Sequence, residues 1–318
     1  MGADHPPARF LREASLVVLP EEIRPREGRA WLVGWQKMRG VLRRLPVPVA
    51  LAADLAEDVT WLHGFMTRLA GAGFPSPRPL PCFDGMSWIM AGGWLWEIVS
   101  FIPGHAVGCA AVPPMEEIGA LLGRYHMAVR QIPVTSQRPA ALPLAEVPPV
   151  LLSHQLDTIL PERAAPIRQL AAQLARDLDD TGHLARERVV IHGDFTKDNV
   201  IARGMPPAAS GVIDFAGAHV ETPLADIGYG LWRSGRPYER AGHLELSRVR
   251  RFLRGYASVV RISPDEASII PLYVWGRGLQ MIAKRVRAGR NDTAMLAQVL
   301  WVTANAGKVG DAFVAALP

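Results

Sequence analysis

The sequence predicts an α+β fold of two lobes, a small β-rich N-terminal lobe and a larger, mainly helical C-terminal lobe. Apolar runs of strand length prevail before residue 103, whereas the 3.6-residue helical period prevails after Pro114. An island of β character between residues 189 and 215 interrupts the helical part. We therefore expect a small domain of residues 1–101 and a larger domain of residues 102–318. A cleft between two such lobes is a common ligand site.

The small lobe is predicted to contain a hairpin, a helix and two more strands. The hairpin joins residues 30–36 to residues 40–45 through the polar turn Lys37-Met38-Arg39. Large apolar residues recur at helical spacing after Pro48, and the proline-rich run that begins at Gly73 ends this helix. The elements after the hairpin are a helix over residues 48–72 and strands over residues 87–90 and 94–102.

The larger lobe is predicted to be built mostly of amphipathic helices. Its two clearest helices cover residues 115–129 and 163–178, and three or four more follow residue 225. The β island consists of residues 189–191, 200–202 and 211–215.

Length and composition indicate a soluble enzyme. The 318 residues are 49% hydrophobic with a mean hydropathy of +0.10, which suffices for a sizeable core. No apolar run reaches the ~18 residues that a membrane span requires, and the N-terminus lacks a signal-peptide core. Cys82 and Cys109 are the only cysteines, too few for a disulfide framework. We expect a cytoplasmic protein with no membrane partner.

The basic charge does not predict a nucleic-acid partner. The formal net charge is +5 and the sequence pI about 9.5, but the basic residues are scattered and are not interleaved with aromatic residues. Only four are lysines, so a GC-rich coding bias accounts for most of the arginine.

One stretch carries the chemistry. Asp194 follows a strand, Asn199 lies five residues further on, and a hairpin is expected to return a strand that ends in Asp214. This arrangement brings two carboxylates and an amide to one edge of a small sheet. Such oxygen donors suit Mg²⁺ together with phosphates, and a separate carboxylate remains to orient a hydroxyl. These are the groups that phosphoryl transfer needs.

The pattern His192-x-Asp194-x₄-Asn199, followed by Ile213-Asp214-Phe215, resembles the catalytic and metal-binding motifs of the protein-kinase-like fold. The form His-Gly-Asp, with Asp226 downstream, is similar to the aminoglycoside phosphotransferase/choline kinase family. Weaker similarities lie elsewhere, so that the resemblance spans roughly residues 25–235. They are Gly40-Val-Leu-Arg-Arg44, Gly73-Phe-Pro-Ser-Pro77, Phe101-Ile-Pro-Gly104 and Leu122-Gly-Arg-Tyr-His126.

The resemblance implies a kinase that uses ATP, or GTP, and Mg²⁺. Asp194 would accept or orient the proton of the acceptor hydroxyl, and Asn199 and Asp214 would hold the metal that bridges the nucleotide phosphates. His192 would serve packing and hydrogen bonding, and Asp226 would brace the catalytic loop through backbone contacts. The alternative, that His-Gly-Asp is an ordinary turn after a strand, does not account for Asn199 and Asp214 at matching distances.

The chain departs from the family at the strand lysine that pairs with the phosphates. The corresponding strand reads Val41-Leu-Arg-Arg-Leu45, and Lys37 lies in the preceding turn. We expect Arg43 to bind phosphate, with Arg44 as the second choice because neighbouring strand residues face opposite sides. The alternative is that both arginines merely cover a strand edge.

Two further expectations concern the small lobe. An acid from the following helix, Asp54, Glu57 or Asp58, is expected to hold the arginine in place, with Asp58 as the first choice. The segment from Ser100 to Ile102 is expected to offer backbone groups to the adenine.

The acceptor is expected to be neutral or anionic. Residues 227–318 hold fourteen Lys and Arg against six acids, which disfavours a polycationic aminoglycoside because each ammonium would need an acidic partner. The predicted function is transfer of the γ-phosphate to a hydroxyl of a small molecule, with a nucleoside-like antibiotic as one candidate. The alternatives are a metabolite kinase of choline, sugar or homoserine type, and a kinase-like nucleotide-binding regulatory module without turnover.

Overall fold

The computed structural model describes Leu11 and residues 15–18, 30–46, 52–109, 114–204, 208–238 and 242–317. Contacts within the chain define two units. The N-terminal unit comprises residues up to Gly104 with two short returning segments, Arg138–Ala140 and Gly211–Ile213. The C-terminal unit comprises the remaining residues from His105 onward. The elements of the two units confirm the predicted α+β class.

A five-stranded antiparallel sheet forms the N-terminal unit, in the order β1-β2-β3-β5-β4. The predicted hairpin is confirmed, although its turn is tighter than expected because Met38 and Arg39 already belong to the second strand. Gln36 enters the turn with φ +52°. The last strand ends at Ser100, two residues earlier than predicted. The bounds are β1 Leu16–Val18, β2 Ala30–Trp35, β3 Met38–Pro46, β4 Trp88–Ala91 and β5 Trp94–Ser100.

Both faces of the sheet are buried, since alternate residues such as Leu32, Leu95 and Val99 are covered on one of them. The opposite face carries Trp31 and Val33 on β2, Leu42 on β3 and Trp96 and Ile98 on β5. Together these apolar residues exclude water from one continuous cluster.

The predicted helix is confirmed as α1, Ala52–Gly71, and the residues predicted before its start, 48–51, lie outside the described part of the chain. Its apolar stripe, which includes Val59, Phe65 and Leu69, is buried as the helical period predicts. The buried Asp58 accepts hydrogen bonds from Arg138 Nε at 2.7 Å and from Ala140 N at 3.1 Å. This contact ties the first returning segment to the unit.

Helices dominate the C-terminal unit. The helix predicted over residues 115–129 has those bounds in the structure, and the next long helix begins and ends within two residues of its predicted limits. None of the described helices is long and apolar enough to cross a membrane. The bounds are α2 Met115–Val129, α3 Val147–Leu152, α4 Gln155–Ile159, α5 Ala164–Asp180, α6 Pro223–Ser234, α7 Leu246–Ala257, α8 Pro264–Arg287, α9 Leu296–Ala304 and α10 Ala306–Val314.

Helices α2 and α7 approach each other closely because glycines face the partner backbone. A Cβ added at Gly119 would lie 1.9 Å from Phe252 O, and one added at Gly255 would lie 1.8 Å from Glu116 O. Such a crossing has no room for a side chain at either position.

Two small sheets place the predicted catalytic segments. One pairs β7 with β10, and the other has the order β6-β8-β9. The strand predicted to run to Phe215 ends at Val212, and residues 215–217 form a single 3-10 turn, so Asp214 follows the strand and does not end it. The bounds are β6 His105–Ala106, β7 Val189–Ile191, β8 Val200–Arg203, β9 Ala208–Val212 and β10 His219–Glu221.

Candidate active site

The His-Gly-Asp loop emerges from the fully buried strand β7. His192 is buried, and its ring contacts Phe215 at 4.6 Å, Phe195 at 5.5 Å and Tyr125 at 6.2 Å between centroids. An imidazole enclosed by three aromatic rings is a packing element, and this confirms the expectation for His192.

Asp226, on the first turn of α6, fixes the loop backbone. Its Oδ2 accepts a hydrogen bond from His192 N at 2.8 Å, and its Oδ1 accepts one from Gly193 N at 2.9 Å. His126 Nε2 lies 3.3 Å from Oδ2. Burial alone would raise the pKa of Asp226, but the hydrogen bond and charge of His126 outweigh burial and lower it. The predicted bracing by Asp226 is confirmed.

Only glycine fits between His192 and Asp194. Gly193 has φ +71°, and a Cβ there would lie 2.1 Å from Gly217 O. The His-Gly-Asp loop therefore lies directly against the turn that follows Asp214. The two predicted acidic segments meet backbone to backbone.

The carboxylate of Asp194 is held from both sides. Asn199 Nδ2 donates to Oδ2 at 3.1 Å and to the Asp194 carbonyl at 2.9 Å, while Arg277 Nη2 donates to Oδ1 at 3.3 Å. The Asp194 side chain is still 40% exposed. A carboxylate that is oriented by two donors and open to solvent is placed to receive a hydroxyl proton.

Asp214 occupies a strained backbone position beside Asn199. It is exposed, with φ 63° and ψ 69°, a left-handed conformation that costs a non-glycine residue about 1 kcal/mol or more. Asn199 directly precedes β8, and Asp214 follows its neighbour β9 by two residues. Because a short connection makes β8 and β9 antiparallel, both residues lie at the same edge of the sheet.

The donor set at this edge fits a hard divalent cation bound with phosphates. Asn199 turns its amide nitrogen toward Asp194, so its Oδ1 points away and has no hydrogen-bond donor among the described residues. One amide oxygen and one carboxylate form a partial shell of the kind that Mg²⁺ completes with phosphates and water. Within the described part of the chain, no three His, Cys, Asp or Glu side chains cluster as a closed metal cage.

Sequence reasoning missed Arg277, which lies on α8 and is only 8% exposed. Its guanidinium stacks over the Tyr229 ring at 4.8 Å, and its Nη1 donates to Gln280 Oε1 at 2.5 Å. Gln280 Nε2 in turn donates to Leu142 O at 2.6 Å. The arginine is 83 residues from Asp194 along the chain, and no local pattern indicates that they meet.

Arg43 belongs to a buried polar network in the N-terminal unit. Its Nη2 lies 2.6 Å from Oε1 of Glu97 on β5, and His63 Nε2 on α1 lies 2.8 Å from the other carboxylate oxygen. The second ring nitrogen of His63 lies 2.7 Å from Ser87 Oγ. Burial alone would raise the pKa of Glu97, but the charge of Arg43 and the His63 hydrogen bond outweigh it and lower the pKa to about 2.

The acid beside Arg43 is therefore Glu97 on the neighbouring strand, and the expectation of Asp54, Glu57 or Asp58 is wrong. The register opposes Arg43 directly to Glu97, whereas Asp58 pairs with Arg138. What α1 contributes to the network is His63.

Arg44 and Lys37 occupy different surroundings. The Arg44 guanidinium lies 4.5 Å from the Trp94 ring centroid and 5.3 Å from that of Trp31, on the face opposite Arg43. Lys37 is exposed in the hairpin turn, as predicted.

The segment predicted to meet adenine is only partly available. Ser100 N already donates to Arg78 O at 2.8 Å, and Ser100 Oγ accepts from Arg78 N at 2.8 Å. Phe101 N donates to Arg39 O at 3.0 Å. No backbone hydrogen bond to another described residue involves Ile102, which leaves its N–H and carbonyl as the candidate contacts.

The chain matches proteins of one family. The family described as the phosphotransferase enzyme family, APH, matches residues 22–259. A homoserine kinase of Acidiphilium cryptum is 29% identical over 232 residues, which are 72% of this chain and 69% of that protein. A homoserine kinase of Caulobacter vibrioides is 27% identical over 237 residues, with 73% and 71% covered.

Solved structures share the fold at low identity. An amicoumacin kinase in complex with AMP-PNP and Ca²⁺ aligns with a TM-score of 0.65 and 17% identity, over 96% of this chain and 94% of that chain. A microcompartment-associated aminopropanol kinase aligns with a TM-score of 0.61 and 14% identity, over 94% and 92%.

Proposed function

Because the chain belongs to the APH phosphotransferase enzyme family, we propose that it transfers the γ-phosphate of ATP to a hydroxyl of a small, neutral or anionic acceptor. The observation that carries the proposal is the Asp194 carboxylate, held by Asn199 and Arg277 and open to solvent. A nucleotide-binding regulatory module without turnover would not need this carboxylate.

Asp194 acts on the acceptor. As the acceptor oxygen bonds to the γ-phosphorus, the bond from that phosphorus to the β–γ bridging oxygen breaks, and ADP leaves with the electron pair. The hydroxyl proton passes to the Asp194 carboxylate, whose orientation Asn199 and Arg277 maintain. Positioning of this kind supplies most of the catalysis in phosphoryl transfer.

Asn199 and Asp214 would hold the divalent cation, which we propose to be Mg²⁺. The cation would neutralise phosphate charge when bound with the nucleotide. We propose that Arg43, aligned by Glu97, pairs with phosphate oxygens and that Ile102 contacts adenine through its backbone. Ser100 is the weaker candidate because its N–H is already used.

The acceptor is either an antibiotic or a primary metabolite. The homoserine kinases among the similar proteins favour a small metabolite of that type, and the amicoumacin kinase keeps an antibiotic as the alternative. The basic character of residues 227–318 disfavours a polycationic aminoglycoside in either case.

The test is phosphotransfer to a panel of hydroxylated acceptors with ATP and Mg²⁺, in which the phosphate ester and ADP are both quantified. Asp194→Asn should lower turnover by about 100-fold, the usual contribution of a positioned base, and should leave nucleotide affinity nearly unchanged. Asp179→Asn, at an exposed position on α5, is the matched control and should keep full turnover. Wild-type turnover in Asp194→Asn, or ATP hydrolysis without any phosphate ester, would contradict the proposal.

A further inference from the structure

Arg277 is a buried cation whose guanidinium uses only some of its N–H donors within the described part of the chain. Asp194 Oδ1 and Gln280 Oε1 are its hydrogen-bond acceptors among the described residues, whereas a guanidinium has five N–H donors. Its contact with Asp194 is a single bond of 3.3 Å, not a bidentate pair. Three N–H donors beside the reacting carboxylate are therefore available to another acceptor of hydrogen bonds.

The guanidinium is held in place before any ligand binds. Tyr229 lies beneath it, and Gln280, which is fully buried, is itself fixed by Leu142 O at 2.6 Å and Tyr229 Oη at 3.2 Å. A guanidinium that is already oriented loses little conformational entropy when it binds a planar anion such as a carboxylate.

The charges around Arg277 favour an anion over an ammonium. Asp194 already pairs with Arg277 and would meet the hydroxyl of the acceptor. The other nearby acids, Asp226 and Glu221, are satisfied by the loop backbone and by Arg188, Leu144 N and Thr222 N respectively. Lys284 lies two helical turns along the same face of α8, and no acid occurs between residues 267 and 287.

His219 also packs beside Tyr229, the aromatic partner of Arg277, and it brings no negative charge to this region. Its ring stacks on Tyr229, its Nδ1 donates to Gly217 O at 2.8 Å, and its buried Nε2 has no partner among the described residues. Burial first, and then the charges of Lys284 and Arg277, lower its pKa to about 4, so the imidazole is neutral near pH 7.

We propose that Arg277 binds a carboxylate of the acceptor, so that the substrate class is a short hydroxy acid whose hydroxyl meets Asp194. The proposal rests on the phosphotransfer proposed above and adds the chemical group that decides acceptor choice. Arg277 thus serves twice: it orients Asp194 and it recognises the anion.

The experiment compares matched acceptors that differ only at the acid group, such as homoserine and 4-hydroxybutyrate against their carboxamides. The hydroxy acids should be the better substrates. Arg277→Gln should raise their KM by about 10- to 100-fold, the value of one charge-assisted hydrogen bond, and should leave the KM for ATP unchanged. Arg277→Lys should recover part of the loss because the charge remains.

Arg287→Gln is the matched control, since Arg287 is an exposed arginine of the same helix that pairs at 3.9 Å with Glu146. It should change no acceptor KM. Thermal unfolding of each variant shows whether a defect reflects lost folding. Equal KM values for acids and carboxamides, or an Arg277→Gln defect confined to kcat, would overturn the proposal.

A second measurement separates this inference from the proposed function. Calorimetric binding of 4-hydroxybutyrate is measured in the presence of ADP and Mg²⁺, which requires no turnover. Binding to the wild type that is lost in Arg277→Gln supports the carboxylate site even if no acceptor of the panel is phosphorylated. No binding to the wild type, or equal binding to both proteins, overturns the carboxylate site even if phosphotransfer to other alcohols is observed.

Discussion

Arg43, which we propose takes the place of the family's strand lysine, is held by contacts within the N-terminal unit. The Arg43 guanidinium pairs with the buried carboxylate of Glu97, which is also hydrogen-bonded to His63. The guanidinium is therefore aligned by a residue on the adjacent strand. A rigid, aligned fork can bind phosphate oxygens bidentately.

Arg43→Ala should raise the KM for ATP and lower kcat together, because the contact serves both binding and the charge that develops in the transition state. Arg43→Lys should restore much of the loss, since it keeps a cation beside Glu97. Arg44→Ala should do far less, because Arg44 stacks on Trp94 and Trp31 on the other face. Steady-state kinetics on these variants and Lys37→Ala provide the measurement. A silent Arg43→Ala beside a large defect in Lys37→Ala would show that the lysine of the turn binds phosphate.

A buried neutral histidine makes stability sensitive to acid. The pKa of His219 is about 4 in the folded protein and 6.5 ordinarily. Between these values the unfolded chain binds a proton that the folded chain does not, so stability falls as the pH falls from 6.5 to 4. The loss from this residue approaches about 3 kcal/mol at the acid end.

His219→Asn removes this titration and retains a donor for Gly217 O, so its stability should fall less steeply with acid than that of the wild type. Urea unfolding at pH 7 and pH 4.5 provides the comparison. The similarly buried His183, whose pKa is also lowered to about 4, is present in both proteins and cancels from the difference. Parallel pH dependences for the two proteins would show that His219 is not neutral through this range.

At the scale of elements, the crossing of α2 and α7 depends on two glycines. Gly255→Ala should destabilise the protein by more than about 2 kcal/mol, because its Cβ would lie 1.8 Å from Glu116 O and the helices must separate. Gly307→Ala on α10 is the control, since nothing lies within 4 Å of its Cβ position, and it should be neutral or stabilising by up to about 1 kcal/mol. Chemical denaturation measures both. Equal effects of the two substitutions would mean that the crossing is loose.

At the scale of the molecule, the two units use their charges differently. The N-terminal unit buries Glu97 with Arg43 and Asp58 with Arg138, each acid matched to one arginine. In the C-terminal unit, arginines of the basic segment 227–318 pair with acids that precede this segment in the chain, as Arg233 with Asp198, Arg277 with Asp194 and Arg287 with Glu146. This distribution explains why the whole-chain charge of +5 predicts neither the acceptor nor a nucleic-acid partner.

The sequence by itself determined the α+β class and the long helices, and it selected Asp194, Asn199 and Asp214 as candidate site residues. Helical periodicity and the spacing of a loop after a strand are properties of neighbours along the chain, so they can be read without coordinates. The same reasoning predicted that Arg43 and Arg44 face opposite sides, because alternation along a strand is also local.

Only the tertiary structure decided which side chains meet across elements. Glu97 and not a helix acid aligns Arg43, and Arg277 reaches Asp194 from 83 residues away. The turn after β9, which ends the strand at Val212 and leaves Asp214 with φ 63°, also depends on packing, because Gly217 must fit against Gly193. Such contacts follow from how the elements pack. Several acids or arginines fit the local sequence pattern equally well, and packing decides which of them makes the contact.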